Sequence, residues 1–188
     1  SVETMIEECL LPPTVFRDGC EDRNEPLSEF MEFEFPEPVG RLTLCNVDHE
    51  ESQLMPMFLA GKGLRDATFF IALDPGFVEA LRVFKALELN QRAPVEFGGA
   101  TFSPIRFVAS RFPRPVDLGG RIHGAVCVGT LAEGTIGGER VRRYLYQVTS
   151  HDQAWEQWGV QGTAWQTGAA AACAVTQFAR GEVALRGV

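Results

Sequence analysis

Residues 121–132 (Arg-Ile-His-Gly-Ala-Val-Cys-Val-Gly-Thr-Leu-Ala) and 139–150 (Glu-Arg-Val-Arg-Arg-Tyr-Leu-Tyr-Gln-Val-Thr-Ser) decide the fold class. Both read as long β runs, and Gly134 and Gly137-Gly138 stand between them, a hairpin signal. Downstream, residues 163–180 read as a helix rich in alanine (Ala169 to Ala172, Ala174, Ala179) with Gly181 as its cap. A hairpin running directly into a helix, with no alternation of strand and helix, points to α+β rather than to a parallel sheet.

The upstream chain agrees. Residues 1–11 read as a short helix with Ser1 as N-cap, stopped by Pro12-Pro13. Residues 14–17 are a short β candidate followed by the turn Asp18-Gly19, and residues 21–26 read as polar loop. Met31, Phe33 and Phe35 alternate with Glu32 and Glu34, the period of a half-buried strand. The turn Pro36-Glu37-Pro38-Val39-Gly40 joins it to a strand over 42–47. Residues 55–64 read as a short helix or loop. The apolar run 68–73 fits a central strand covered on both faces. Asp74-Pro75 then opens a helix with Phe77, Leu81, Phe84 and Leu87 on one face. Short strands are expected near Glu96 and Ile105, and a loop over 111–120. The expected architecture is α+β, a mixed but mainly antiparallel sheet with helices packed on one face, and residues 1–188 form one domain.

Composition narrows the function. The formal net charge of −8 leaves no basic face for nucleic acid and disfavours an anionic membrane surface. Cys9, Cys20, Cys45, Cys127 and Cys173 are odd in number and lack CxxC spacing, so neither a zinc site nor a disulfide framework is expected. Free thiols and the lack of a signal peptide or long apolar run fit the cytoplasm. The chain starts at Ser1 with a turn that already reads as helix, as a processed or excised fragment would.

Four stretches carry candidate chemistry. Gly61-Lys62-Gly63 is the nearest approach to a dinucleotide loop, but Asp66 stands where the third glycine belongs and a strand, not a helix, follows. Asn46-Val47-Asp48-His49-Glu50-Glu51 ends a strand. There an imidazole can do acid–base work and a carboxylate can pair with a substrate ammonium; a plain acidic turn is the alternative. No second histidine completes an HExxH zinc motif. Thr163 to Gly168 opens the last helix, where orphan N–H groups and hydroxyls suit a carboxylate, or Thr163 simply caps it. Arg140, Arg142, Tyr144 and Tyr146 share one strand face, for carboxylates, for a subunit interface or merely for solvent. His123 and His151 stand alone, and Trp155, Trp158 and Trp165 read as core packing.

Taken in order, Ser1 to Glu8, Val15-Phe16-Arg17-Asp18-Gly19, Pro26-Leu27-Ser28, Phe35 to Gly40, Asn46 to Glu50, Thr167-Gly168 through the alanine-rich helix to Arg180-Gly181, and Gly187-Val188 form a series. This series resembles the C-terminal catalytic domain of saccharopine dehydrogenase-like oxidoreductases, which include lysine 6-dehydrogenase and carboxynorspermidine dehydrogenase. The likeness covers nearly the whole chain and lies in the order and spacing of short motifs. The chain departs from the pattern at the Trp-rich residues 151–159 and at Ala169, where proline is common.

The resemblance implies a substrate-binding and dimerisation domain that follows an N-terminal Rossmann domain. The full-length protein would use NAD or NADP, with none bound to this piece alone, which would be inactive by itself. The reaction would be hydride transfer at an amine or imine carbon of an amino-acid substrate. His49 and Glu50 match the family's catalytic His-Glu stretch, and Thr167 and Gly168 its substrate-binding Thr-Gly. The expected partners are that small molecule and a second copy in a homodimer; a non-catalytic dimerisation or scaffold module is the alternative.

Overall fold

The structure is a computed structural model and describes residues 1–183; Gly187-Val188 of the resembling series lie outside the described residues. It is α+β, with six α-helices among the described residues, and every strand pair described is antiparallel. The strands fall into four separate small sheets rather than one mixed sheet. The chain forms two compact units. Among the described residues, the first holds Ser1–Phe33 and Leu42–Arg114; the second holds Glu34–Arg41 and residues 115–183.

In the first unit, α1 (Val2–Leu10) starts at Ser1, whose Oγ accepts from the Thr4 N–H at 3.2 Å. Ile6, Cys9 and Leu10 recur at helical spacing and are buried. Strands β1 (Thr14–Arg17) and β2 (Cys20–Arg23) form a hairpin across Asp18-Gly19, both at positive φ as a tight two-residue turn requires. Residues 21–23, expected as loop, are therefore strand; every β2 side chain is exposed, so no apolar alternation marks it. Strands β3 (Phe30–Glu34) and β4 (Arg41–Asn46) pair as expected, and β4 is the middle strand of the order β3-β4-β5.

Helix α2 (Glu51–Leu59) opens earlier than the apolar pattern suggests and carries Pro56 inside; a 3-10 turn over Ala60–Lys62 follows. Strand β5 (Phe70–Ala72) is short and lies at the sheet edge, not at its centre; the apolar run is half-buried rather than covered on both faces, with Phe69, Ile71 and Leu73 against the core and Thr68 and Ala72 exposed. Helix α3 (Pro75–Ala86) is capped by Asp74, whose carboxylate accepts from the Phe77 N–H at 3.1 Å. Strands β6 (Val95–Phe97) and β7 (Ala100–Phe102) form another hairpin. Ile105, expected in a strand, sits in helix α4 (Pro104–Ala109), because Ser103-Pro104 supplies an N-cap position and an N1 proline.

The core of this unit gathers α1, α3, α4 and β4: Ile6, Cys9, Leu10, Cys45, Leu81, Ile105 and Val108, with Leu27 and Val47. Burial pushes the Cys9 thiol up to about 12 and raises that of Cys45, so both act as protonated packing groups.

The second unit is built on β8 (Ala125–Ile136) and β9 (Glu139–Ser150), a twelve-pair ribbon closed by Gly137-Gly138. Helix α5 (His151–Trp158) ends at Gly159 in the left-handed conformation, and α6 (Gly162–Ala179) follows. No helix among the described residues is long and apolar enough to cross a membrane.

Candidate active site

His49 lies between β4 and α2, and its surroundings are set by backbone pairing. The Asp48 N–H donates to the Glu8 carbonyl at 3.1 Å, and the Asp48 carboxylate accepts from the Thr14 N–H at 3.0 Å. This fixes the strand exit against α1 and β1. The His49 ring stacks on Phe69, with centroids 4.1 Å apart and planes at 15°. Phe69 is held in turn: its carbonyl accepts from the amide of the buried Asn46 at 2.8 Å. The Asn46 side-chain oxygen accepts from Asn24, which also donates to Glu29. A network of buried and half-buried amides thus positions the face on which the imidazole rests.

His49 Nδ1 meets the Glu51 carboxylate and lies 3.2 Å from a Glu50 oxygen. The His49 side chain is 30% exposed, against 77% for Glu50 and 46% for Glu51. With Nδ1 turned to a carboxylate, the neutral ring carries its proton there and presents Nε2 as an acceptor. The sequence reading named Glu50 as the partner; Glu51 shares the role and sits closer. No apolar pattern marks Glu51, because α2 opens there, ahead of its first hydrophobic residues. The three ligand atoms lie within 4.8 Å of one another, near enough to hold a cation as well as an ammonium group.

Thr167 and Gly168 lie in the second unit, so the candidates divide between two bodies, each with its own surroundings. Helix α6 begins at Gly162, not at Thr163. The reason is His151: its Nδ1 accepts from the Gly162 N–H at 3.1 Å and does the work of a cap. A Cβ at 162 would lie 3.2 Å from that nitrogen and 3.3 Å from Thr149, so glycine permits the close approach. Thr163 is therefore inside the first turn and exposed, and Thr167 and Gly168 stand past it, also exposed. Their N–H groups belong to the helical ladder, which leaves the Thr167 hydroxyl as the group free to meet a carboxylate.

The ribbon residues do share a face. Arg142 pairs with Glu133 at 2.9 Å, Tyr144 stacks on Tyr146 with centroids 5.1 Å apart, and Cys127 lies 3.6 Å from the Tyr144 hydroxyl. Burial raises the Tyr144 phenol well above its usual range. The Trp-rich stretch is packing for this unit: Trp155 lies flat against Gly119 and Gly120, and Trp158 stacks on Trp165 at 4.6 Å. Gly61-Lys62-Gly63 follows α2 in a 3-10 turn and opens no helix, so it offers no pyrophosphate cradle.

A strand-end imidazole between carboxylates is an arrangement that can hold and pass a proton. The chain is 24% identical over 177 residues to the carboxynorspermidine synthase of Vibrio cholerae, covering 93% of this chain and 42% of that protein. It is 26% identical over 162 residues to the same enzyme of Vibrio alginolyticus (86% and 38%) and 24% over 186 residues to the carboxyaminopropylagmatine dehydrogenase of Synechocystis (99% and 46%). The chain thus spans less than half the length of the curated relatives it matches. No family model matches it.

Proposed function

We propose that this chain is the substrate-binding and self-associating part of an NAD(P)-dependent oxidoreductase acting at an amine or imine carbon. The observation that carries the reading is the His49 dyad: an imidazole stacked on Phe69, with Nδ1 on Glu51 and Nε2 left as an acceptor. In this reading Nε2 takes the proton that leaves the substrate nitrogen, or returns it, while Glu50 faces the ammonium group. The relatives' names point to a carboxylated polyamine or a similar amino acid as substrate. The Thr167 hydroxyl is retained as a donor to its carboxylate, with Gly168 beside it. The nicotinamide and the hydride step are assigned to a part of the full-length protein outside this chain, since the matched stretch is less than half of each relative.

Self-association is the second half of the proposal. Helix α6 carries no charged residue over eighteen positions, and its residues 170–179 are all exposed. On β8 and β9, Val128, Ile136 and Leu145 share one exposed face. A second copy would cover these surfaces.

The test is His49→Ala in the full-length protein, assayed for nicotinamide turnover with carboxylated polyamines. The expected loss in kcat/KM is about 10²–10⁴-fold, the usual worth of a general acid or base, with an unchanged unfolding midpoint. Undiminished turnover would remove His49 from the chemistry and favour a non-catalytic scaffold.

A further inference from the structure

The first unit holds a second polar site that the His49 reading does not use. Hairpin β6–β7 and helix α4 border an open cleft of about 690 Å³ lined by Arg92, Thr101, Phe102, Ser103, Arg106 and Phe107. Its two guanidinium groups differ. Arg92 is spoken for: its Nε and Nη2 both donate to the Glu7 carboxylate, the latter at 2.5 Å, and Nη1 reaches Glu3 at 3.4 Å. These two carboxylates neutralise Arg92 and fix its plane. Arg106 is exposed and has no ion-pair partner among the described residues, so of the two guanidinium groups it is the one open to an added anion.

Ser103 adds an unmet donor. It stands at the N-cap position of α4 but makes no side-chain cap bond, and its Oγ is shielded from solvent with no hydrogen-bond partner. A polar atom left so costs free energy, and a serine hydroxyl needs only one rotamer step to turn to a new acceptor. The remaining walls are aromatic: Phe102 and Phe107 meet edge to face with centroids 5.7 Å apart, and Phe107 is largely exposed. One unpaired guanidinium, one orphan hydroxyl and two phenyl rings make a site for an anion carried on an apolar chain.

We propose that this cleft binds the carboxylate of a small organic acid, with Arg106 and Ser103 as donors and the two phenylalanines against its aliphatic body. For an amine-bearing carboxylate as the ligand the proposal rests on the reading above; for the carboxylate itself it does not. It places a carboxylate donor set in the same unit as His49. Both sites also meet α1 at neighbouring residues: Arg92 on the Glu7 side chain, Asp48 on the Glu8 carbonyl.

The test is an NMR titration of the chain, following backbone amides, with 6-aminohexanoate as probe and hexylamine and inorganic phosphate as comparisons. Saturable shifts over residues 101–107 with 6-aminohexanoate, and none with hexylamine, are expected. Arg106→Gln should weaken binding about tenfold, within what one charge-assisted hydrogen bond supplies, and Arg106→Lys less. Equal binding by Arg106→Gln, the same shifts with hexylamine, or phosphate binding as tightly as the carboxylate would each overturn the proposal. No turnover enters this readout, so its outcome and that of the His49 assay can fail separately.

Discussion

The two units solve the problem of burial differently. In the first, α1, α3 and α4 close over β4 and leave Ile6, Leu81 and Ile105 with no exposed surface. In the second, each strand of the ribbon is paired on one edge only, and Leu145 and Phe178 are 81% and 73% exposed. A hairpin alone is marginally stable in water, and an uncharged helix exposed all round is uncommon. The first unit encloses a packed apolar cluster, although Met57, Leu87 and Phe97 stay on its surface; in the second, Ala154 is the one fully buried hydrophobic among the described residues. Substitutions in the two regions should therefore have opposite signatures, large on stability in one and large on association in the other.

The largest expected effect lies in the core of the first unit. Leu81→Ala removes a fully buried side chain from the meeting point of α1, α3 and α4. The cost should be about 2–5 kcal/mol, read from urea unfolding followed by far-UV circular dichroism. A loss below about 1 kcal/mol would mean that this core is no better packed than the ribbon, and the contrast between the units would fail.

A smaller effect is expected where the second unit does use a buried polar contact. His151→Ala deletes the acceptor for the Gly162 N–H, and the loss should be about 1 kcal/mol, as for other helix caps. Tryptophan fluorescence reports it selectively, because Trp155, Trp158 and Trp165 all belong to this unit. An unchanged fluorescence midpoint would show that α6 is held by its packing and that the cap is incidental.

The sequence carried the fold wherever a local signal was tied to burial or to a turn. Alternation at Met31 and Phe33, the Asp74-Pro75 cap and the Gly137-Gly138 turn each specify their element without help from afar. It failed where the determinant is pairing or context. Strand β2 has no buried face to pattern it, and β5 reads as central because its apolar side chains pack against the core although the strand itself lies at the sheet edge. Ile105 was legible in principle, since Ser103-Pro104 is a helix-start signature that the apolar residues beyond it obscure. At the site, His49 and its acidic neighbours were visible as adjacent letters. The Phe69 stack was not, because it joins residues twenty positions apart through the Asn46 amide. The orphan Ser103 hydroxyl is of the same kind: only coordinates reveal a missing partner.

The smallest effect on stability should accompany the largest effect on assembly. Leu145 on β9 and Val175 on α6 are exposed, so charge placed there removes few internal contacts. Leu145→Glu with Val175→Glu should shift the unfolding free energy of the dilute chain by no more than about 0.5 kcal/mol per site, the usual range for surface changes. If copies pair as proposed, sedimentation should nonetheless change from dimer to monomer, because a buried unpaired carboxylate at an interface costs far more than one in water. If the double variant sediments as the wild type does, this apolar face is not where copies of the chain meet. If instead it unfolds, those side chains are internal contacts and the second unit is packed like the first. Only a loss of association with retained folding preserves the contrast, since it alone requires the exposed apolar surface to be complete in itself and still in need of a partner.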